Sequence, residues 1–459
     1  MNKDNAFLGT EPIGRLLFKL AVPTVTAQLI NMLYNIVDRI YIGHMPVEGD
    51  LALTGVGICM PLIMIVSAFA ALVGSGGAPR ASIFMGRGDK ESAERTMGSC
   101  FVLLLLVSAV LTAALLLCSK ELLLAFGGSE NTIGYAVDYM TIYACGTVFV
   151  QLTLGMNAYI TAQGFAATGM ATVLIGAVCN IVLDPIFIFL LDMGVQGAAL
   201  ATILSQAISC LWVMRFLCGK NTVLHLRRAF FRLDKSILLP CLALGLSPFI
   251  MQFTESVISV CFNSSLYRYG GDMAVGAMTI LSSVMQFVLL PMQGLGQGAQ
   301  PITSYNYGAG NAKRVKATVF LLLKVSLGYS LLLWALLMLF PQTFVAIFTP
   351  NATLQPYAAQ MLRIYCGSLG IFGIQMACQM TFVAIGYAKS SILVAVMRKI
   401  VLLLPLIYLM PAIFTADKTR AVFMAEPVAD FLSVTFASVL FVIQFRKAMR
   451  SMAEQHPIE

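Results

Sequence analysis

Charged residues are scarce in this sequence. Aspartate, glutamate, lysine and arginine make up only 11% of the 459 residues, and hydrophobic residues make up 59%. Soluble domains contain about 25% charged residues, because a water-soluble fold has to cover its surface with polar groups. The composition therefore excludes a soluble protein of this length and predicts an integral membrane protein.

The sequence also offers little for metal or catalytic chemistry. Its three histidines, His44, His225 and His456, fall in predicted loops or in the tail, and its eleven cysteines lie mostly inside apolar runs without a C-x-x-C pair. Such cysteines are typical of small buried hydrophobic residues. The phosphate-binding pattern G-x-x-x-x-G-K-[ST] does not occur. We expect a protein that is not an enzyme, uses no cofactor and has no metal site built from these residues.

Long uncharged runs dominate the chain, and they exceed the roughly 20 residues that a helix needs to cross a bilayer. They do not alternate as the strands of a membrane barrel would. Lys19 opens a run too long for a signal peptide, so we expect the first helix to be retained. We predict an all-α polytopic membrane protein whose twelve transmembrane helices cover residues 20–42, 52–77, 97–118, 133–156, 168–190, 194–216, 238–264, 274–299, 319–341, 357–383, 392–414 and 421–445.

The distribution of lysine and arginine predicts the orientation. With cytoplasmic termini, 22 of the 29 basic residues lie on the inner face, including three in 389–399, and five lie outside. The positive-inside rule then places both termini in the cytoplasm of a bacterial-type cell (inner) membrane. The asymmetry also explains the net charge of +8. We expect these loops to contact membrane lipid and no nucleic acid.

The chain repeats itself at a shift of 222 residues, and Pro23 pairs with Pro248 at a shift of 225. The matches at 222 include Gly49-Asp50 with Gly271-Asp272, Gly86-x-Gly88-Asp89 with Gly308-x-Gly310-Asn311, and Ala162 and Gly164 with Ala384 and Gly386. Each copy holds an even number of spans, so the copies share one orientation and form two pseudo-symmetric six-helix bundles. We predict an N-terminal lobe at 1–218, a cytoplasmic linker at 219–236, a C-terminal lobe at 237–446 and a cytoplasmic tail at 447–459. Duplication favours a secondary transporter, although a duplicated channel also fits this pattern.

Three carboxylates, Asp38, Asp184 and Glu255, fall deep inside predicted spans. A charge at that depth costs at least about 2.5 kcal/mol, so each one needs a reason. Asp138 and Asp430 lie closer to predicted span ends, where a side chain can reach water.

Asp38 ends a polar stripe on the first predicted helix. Thr24, Gln28, Asn31, Asn35 and Asp38 are spaced by 4, 3, 4 and 3 residues, which places them on one face. One or two such residues would suit hydrogen bonds that only hold helices together. Five that end in a carboxylate favour a polar cavity.

A second polar group lies on the fifth predicted helix, where Asn180 and Asp184 are one turn apart and Pro185 follows. Proline frees a backbone carbonyl, and carbonyl, amide and carboxylate oxygens are ligands for a hard cation such as Na⁺. A proline kink with a locally satisfied aspartate is the structural alternative. Glu255 has no carboxylate counterpart in the first half, because its repeat mate is Ile30.

Together these patterns resemble the multidrug and toxic compound extrusion (MATE) family over essentially the whole chain. The matching motifs are Pro23 to Gln28, Asn35-Ile36-Val37-Asp38-Arg39, Tyr41-Ile42-Gly43, Met85-Gly86-Arg87-Gly88-Asp89, Asn157-Ala158 with Gln163-Gly164, Asn180 to Asp184-Pro185, Gly197-Ala198-Ala199 with Ala201-Thr202, and Gly308-Ala309-Gly310. The resemblance implies the MATE/MOP-type fold.

Within the family the chain is similar to the DinF type, which includes MepA-like drug exporters. This resemblance implies a cation-coupling site in the first half, formed by Asp38, Asn180, Asp184 and Thr202. The NorM type uses carboxylates of helices 7 and 10. Glu255 matches the first of these, but residues 357–383 contain no aspartate or glutamate. Glu255 is then a substrate-charge partner or a lone protonatable group.

The resulting hypothesis is an antiporter that exports cationic or amphipathic drugs and toxic organic compounds and works as a monomer. Asp38 and Asp184 share a partly desolvated pocket that takes up H⁺ or Na⁺ from outside, and a lipophilic cation then leaves. The candidate substrate contacts are Gln28, Asn31, Tyr34, Asn35, Met60, Met64, Asn157 and Glu255, and the candidate hinges are Pro23, Pro185 and Pro248.

Two other functions fit part of this pattern. A flippase for lipid-linked oligosaccharides or peptidoglycan precursors shares the architecture, but such flippases typically hold pyrophosphate with basic residues in the cavity. An intramembrane aspartyl protease also needs two membrane aspartates. Asp38 and Asp184 lack the flanking motifs of that enzyme class, so we do not expect it.

Overall fold

The computed structural model describes residues 6–45 and 49–455. Residues 1–5, 46–48 and 456–459, which include His456 and the end of the predicted tail, lie outside the described residues. The described chain is almost entirely helical. This follows from its apolar sequence, because a backbone in hydrocarbon has no water to bond with and a helix satisfies its N–H and C=O groups internally.

The first half contains eight helices, two of which form one bent pair. They are α1 (Ala6–Thr10), α2 (Ile13–Gly43), α3 (Gly49–Gly86), α4 (Lys90–Ala125), α5 (Ile133–Cys145), α6 (Thr147–Ala162), α7 (Ala166–Pro185) and α8 (Gly194–Cys218). A π-helical turn, Ile186–Leu190, extends α7 directly after Pro185.

The second half repeats this order after a short 3-10 turn at Arg228–Phe230. Its helices are α9 (Lys235–Gly308), α10 (Ala312–Leu339), α11 (Pro341–Ala346), α12 (Leu354–Tyr365), α13 (Leu369–Ala384), α14 (Ala388–Val396), α15 (Leu404–Ile413) and α16 (Lys418–Gln455). A π-helical segment, Met397–Leu403, joins α14 to α15.

The structure confirms an all-α, multi-pass architecture. Among the described residues, nine helices are long and apolar enough to cross a membrane, and up to eleven spans result if each bent pair is one span. Helix α9 has 74 residues, and its backbone leaves the helical region at Gly271, where φ is 62°. At 1.5 Å per residue it would be about 110 Å long, far more than one bilayer. Counting its two arms separately would give twelve, a number that stays a prediction.

Two predicted spans are bent rather than straight. Helices α5 and α6 meet at 58°, and α12 and α13 meet at 50°. The breaks fall at Gly146 and at residues 366–368, which the repeat shift of 222 brings into register. The apolar pattern runs through both breaks and therefore predicts continuous helices over 133–156 and 357–383, which the structure does not show. The shared bend is what duplication of one unit predicts.

The two halves approach each other through glycines of α3 and α9. A Cβ at Gly245 would overlap the Leu72 carbonyl oxygen, and a Cβ at Gly76 would overlap that of Cys241. Gly86 and Gly308 form a second crossing of the same kind, near the ends of these helices. Small residues allow such backbone contact in membrane helices, so these positions set the distance between the halves.

The segment between the halves is anchored to the first half. Gln163 Oε1 accepts hydrogen bonds from Thr222 Oγ1, Val223 N and Leu224 N at 2.8–2.9 Å. The buried Glu94 accepts from His225 N and Arg227 Nε, each at 2.9 Å. Residues 222–227 are therefore tied to the first half.

The glycine crossing can be tested with Gly245→Ala. The added methyl group overlaps the α3 backbone, and overpacking of this kind typically costs roughly 1–3 kcal/mol, so the Tm of the purified protein should fall. Gly328→Ala is the matched control, because a Cβ at Gly328 meets no atom within 4 Å. Equal melting temperatures for the two variants would contradict the close approach.

Candidate functional site

The structure brings Asp38 of α2 and Asp184 of α7 together. Their carboxyl groups lie within hydrogen-bonding reach of each other. Asp184 is fully buried and Asp38 is partly buried, and neither Asp38 Oδ1 nor Asp184 Oδ2 receives a hydrogen bond. Two ionised carboxylates this close repel each other. The pair is therefore suited to hold a proton or a small cation between its oxygens.

Asn180 completes the group from one helical turn away on α7. Its Nδ2 donates to Asp184 Oδ1 at 3.3 Å, and its own Oδ1 is buried without a donor. Pro185 has no N–H, so the backbone carbonyl of Ile181 lacks its helical partner. Three buried side-chain oxygens of α2 and α7 thus lack donors: Asp38 Oδ1, Asn180 Oδ1 and Asp184 Oδ2. Oxygen-rich surroundings without donors favour a cation.

A small cavity of about 40 Å³, lined by both apolar and polar residues, lies beside this group. A buried water needs about 10–15 Å³, so the cavity has room for water or for a partly hydrated ion. Its polar lining comes from α2, α6, α7 and α8 and consists of Asn31, Tyr34, Thr153, Thr172, Asn180, Thr202, Ser205, Gln206 and Ser209. Of the predicted coupling residues, Asn180 and Thr202 line this cavity, with Asp38 and Asp184 next to it.

Sequence reasoning missed the α8 wall of this cavity beyond Thr202. Thr202, Ser205, Gln206 and Ser209 are spaced by 3, 1 and 3 residues and therefore share one face of the helix. Gln206 Oε1 is buried and receives no hydrogen bond. This spacing could have predicted a polar face on α8, just as the spacing on the first helix predicted its polar stripe.

The polar stripe of α2 has two different surroundings. Thr24 Oγ1 donates to the Gly294 carbonyl at 2.6 Å, and Gln28 Nε2 donates to Gln297 Oε1 at 3.1 Å, both in the second half. Asn31 lines the cavity, whereas Asn35 Nδ2 bonds the Asn31 carbonyl of its own helix at 2.7 Å. The stripe therefore joins the halves at one end and builds the site at the other. It is not the wall of a single cavity.

The other predicted substrate contacts and hinges are dispersed. Met64 is partly exposed and lies 4.0 Å from Ser256 Oγ of the second half, and Met60 lies one turn before it on α3. Asn157 Nδ2 donates to the Gly169 carbonyl at 3.2 Å and so ties α6 to α7. The remaining residues lie inside or at the end of helices: Pro23 within α2, Pro185 at the end of α7 and Pro248 within α9. Their role as hinges stays a prediction.

Glu255 is not a lone group, because its Oε2 lies 2.6 Å from Lys399 Nζ. The side chain of Lys399 is almost fully buried, whereas that of Glu255 is 58% exposed. A pair of this kind fixes the position of Lys399 and leaves one face of the carboxylate accessible.

Beside this pair, Arg398 is held by two buried carboxylates of α16. Its Nε lies 2.8 Å from Asp430 Oδ1, and its Nη2 lies 3.0 Å from Glu426 Oε1. The guanidinium also stacks over the Phe372 ring at 4.5 Å. Together with Glu255 and Lys399 these residues form an ion network in which three carboxylates meet two basic groups.

Two assignments from the sequence are wrong here. Arg398 and Lys399 were counted with the cytoplasmic charges, but both are buried inside the candidate span Ala388–Ile413. Asp430 was assigned to a water-reaching position, but it is buried against Arg398. The sequence hid the network because its members lie on three separate segments, and only folding brings them together.

Comparison with known proteins agrees with this fold. A model of the MatE family matches residues 23–186 and 248–409, once in each half. Multidrug export protein MepA of Staphylococcus haemolyticus is 23% identical over 424 residues, and the FAD transporter of Shewanella oneidensis is 24% identical over 443 residues; the matches cover 92% and 94% of both chains, respectively. A crystal structure of MATE in the bent conformation superposes with a TM-score of 0.92 at 23% identity and covers 99% of this chain and all of that one.

The ion network should behave as a structural unit. Arg398→Gln leaves Glu426 and Asp430 buried without their cation, and breaking a buried pair typically costs about 3–5 kcal/mol. We expect a strongly lowered Tm for this variant and substantial recovery in Arg398→Gln/Glu426→Gln/Asp430→Asn, which removes all three charges. A triple variant no more stable than the single one would contradict this role.

Proposed function

Because the chain belongs to the MatE family, we propose that it is an antiporter that uses H⁺ or Na⁺ to export cationic or amphipathic drugs across the cell membrane. The observation that carries this proposal is the Asp38–Asp184 pair, whose adjacent oxygens lack hydrogen-bond donors. The names of the similar proteins support export as the class of activity, since MepA is named as a multidrug export protein and another relative as a transporter. None of these names describes an enzyme.

Coupling follows from competition for this pair. When a proton or Na⁺ occupies the carboxylates, their negative charge is neutralised and a drug cation loses its electrostatic partner. When the ion leaves, the charge attracts the drug again. Exchange of this kind requires only that ion and drug favour different conformations of the two halves.

Helix α2 connects the pair to the contact between the halves. Its last turns carry Asp38, and its first half is bonded to the second half through Thr24 and Gln28. A change of charge at Asp38 therefore acts on a helix that belongs to the interface. Pro23 lies one residue before Thr24, at the interface end of this segment, so a bend of α2 at Pro23 would act directly on the contact between the halves.

Orientation completes the proposal. The glycine crossings lie toward the ends of α3 and α9, next to the basic loops that follow Gly86 and Gly308. We place these loops and both termini in the cytoplasm by the positive-inside rule, with Arg398 and Lys399 removed from the count. The halves are then in contact on the cytoplasmic side in this conformation, which separates the cavity from the cell interior.

The second half argues against an anionic substrate such as a lipid-linked pyrophosphate. It does contain two basic groups inside a span, which a flippase would require. Both are bound to carboxylates, and the described network contains three carboxylates for two cations. An anion would have to displace Glu255 from Lys399, whereas a cation can approach the exposed face of Glu255 directly. Export of cations is therefore favoured over the flippase alternative.

Asp38→Asn and Asp184→Asn should each abolish ethidium export from cells while leaving the protein in the membrane. Asparagine keeps the size of the side chain but removes the charge that ion and drug compete for. Asp138→Asn, an exposed carboxylate on α5, is the matched control and should export normally. Export at the parental rate in both site variants would refute the proposal.

The coupling ion is identified with the parent protein in vesicles that carry a pH gradient or a Na⁺ gradient, imposed one at a time. Ethidium movement should follow one of the two gradients and should disappear in Asp38→Asn. Movement that follows neither gradient would contradict antiport.

The Glu255–Lys399 pair should not be the coupling site. In the double variant Glu255→Gln/Lys399→Gln both charges are removed together, so no buried charge is left unpaired. We expect ion-dependent export to persist, with altered apparent affinity for cationic drugs, in a transport assay over a range of drug concentrations. Loss of ion dependence in this variant would move the coupling site to the second half.

A further inference from the structure

A cavity of about 250 Å³ lies at the seam between the halves, beyond the glycine crossings and away from the Asp38–Asp184 pair. One wall belongs to α3 of the first half, and the other belongs to the second half, at the end of α9 and in the turn between α13 and α14. The lining residues are Arg80, Ile83, Phe84, Arg87, Tyr307, Ile385, Gly386 and Tyr387.

The charge of this cavity is positive and uncompensated. Arg80 and Arg87 are two turns apart on α3, and their guanidinium groups lie 5.7 and 5.9 Å from the same Phe84 ring centre. None of the seven ion pairs among the described residues includes either arginine. Asp89, the carboxylate of the adjacent turn, caps α4 by accepting from Ser92 N at 3.0 Å.

Arg80 also has unused bonding capacity. Its Nε is buried and has no hydrogen-bond partner, although the side chain lies beside the Cys241 thiol, a weak partner. A buried donor without an acceptor costs about 1–3 kcal/mol. The Arg80 and Arg87 guanidinium groups thus lie beside an open cavity, and Arg80 Nε has no acceptor. This arrangement favours binding of an anion.

The internal repeat places a counterpart of this cavity elsewhere in the fold, and that counterpart is filled. The shift of 222 residues carries Ile83, Phe84 and Gly386 onto Tyr305, Asn306 and Gly164. There the equivalent space is filled by α1: Phe7 and Leu8 pack against Gly164, and Asn306 Nδ2 donates to the Leu8 carbonyl at 2.9 Å. Arg80 and Arg87 have no basic counterpart, since their repeat mates are Ile302 and Ala309. One recess thus holds the chain's own N-terminal helix, and the other carries two arginines.

We propose that the arginine-lined cavity binds a phosphate group, either free phosphate or the phosphodiester of an anionic lipid headgroup. Guanidinium groups bind phosphate through paired N–H···O bonds, and the Tyr307 and Tyr387 hydroxyls supply further donors. Because the walls belong to different halves, the ligand favours the conformation in which the halves touch at this end. This binding site does not depend on the identity of the exported substrate.

The test measures thermal unfolding of the full chain by the fluorescence of Trp212 and Trp334. In detergent, sodium phosphate is compared with sodium chloride at equal ionic strength. In nanodiscs, phosphatidylcholine with phosphatidylglycerol is compared with phosphatidylcholine alone. A Tm rise of several degrees is expected in at least one arm. A rise with phosphate identifies the free ion, and a rise only with phosphatidylglycerol identifies the lipid.

The rise should be lost in Arg80→Gln/Arg87→Gln and kept in Lys313→Gln/Lys316→Gln, which removes two exposed charges from the equivalent loop of the second half. If the arginine variant does not fold, Tyr307→Phe/Tyr387→Phe removes two donors without a charge and should weaken phosphate binding severalfold. No rise in either arm for the parent, or an undiminished rise in the arginine or tyrosine variant, would overturn the proposal.

Discussion

Repulsion between two neighbouring carboxylates in a medium of low dielectric is the interaction on which this account depends. In water the charges of Asp38 and Asp184 would be screened, but inside a helical bundle they are not. The fold leaves their free oxygens without donors, so the protein itself does not neutralise them. In the proposed mechanism a mobile cation, H⁺ or Na⁺, does so.

The two halves have the same helix arrangement but differ in how their buried charged side chains are paired. In the first half the two carboxylates lie next to each other beside a small cavity, and among the described residues no basic side chain forms an ion pair with either of them. In the second half Arg398 and Lys399 are fixed by Glu426, Asp430 and Glu255. In the proposed mechanism the exchangeable charge is therefore confined to the first half, and the paired charges of the second half support the fold.

Much of this could be predicted from the sequence, because helices are local. The spans, the repeat and the turn-by-turn spacing of Asn180 and Asp184 follow from apolar runs and a period of 3.6 residues. The bends at Gly146 and near Cys366 were missed because the apolar pattern continues through them. The partners of Arg398 and Lys399 were missed because they lie on other helices, and contacts between distant segments have no periodic signal. The arginine-lined cavity was hidden for the same reason.

The central claim is that drug and coupling ion compete for the Asp38–Asp184 pair. It is tested most directly by adding ethidium to the purified protein in weakly buffered detergent while following released H⁺ with a pH-sensitive dye and released Na⁺ with an ion-selective electrode. The account predicts that drug binding displaces one of these ions from the parent and none from Asp38→Asn/Asp184→Asn. Equal ion release from the parent and from the double variant would contradict it.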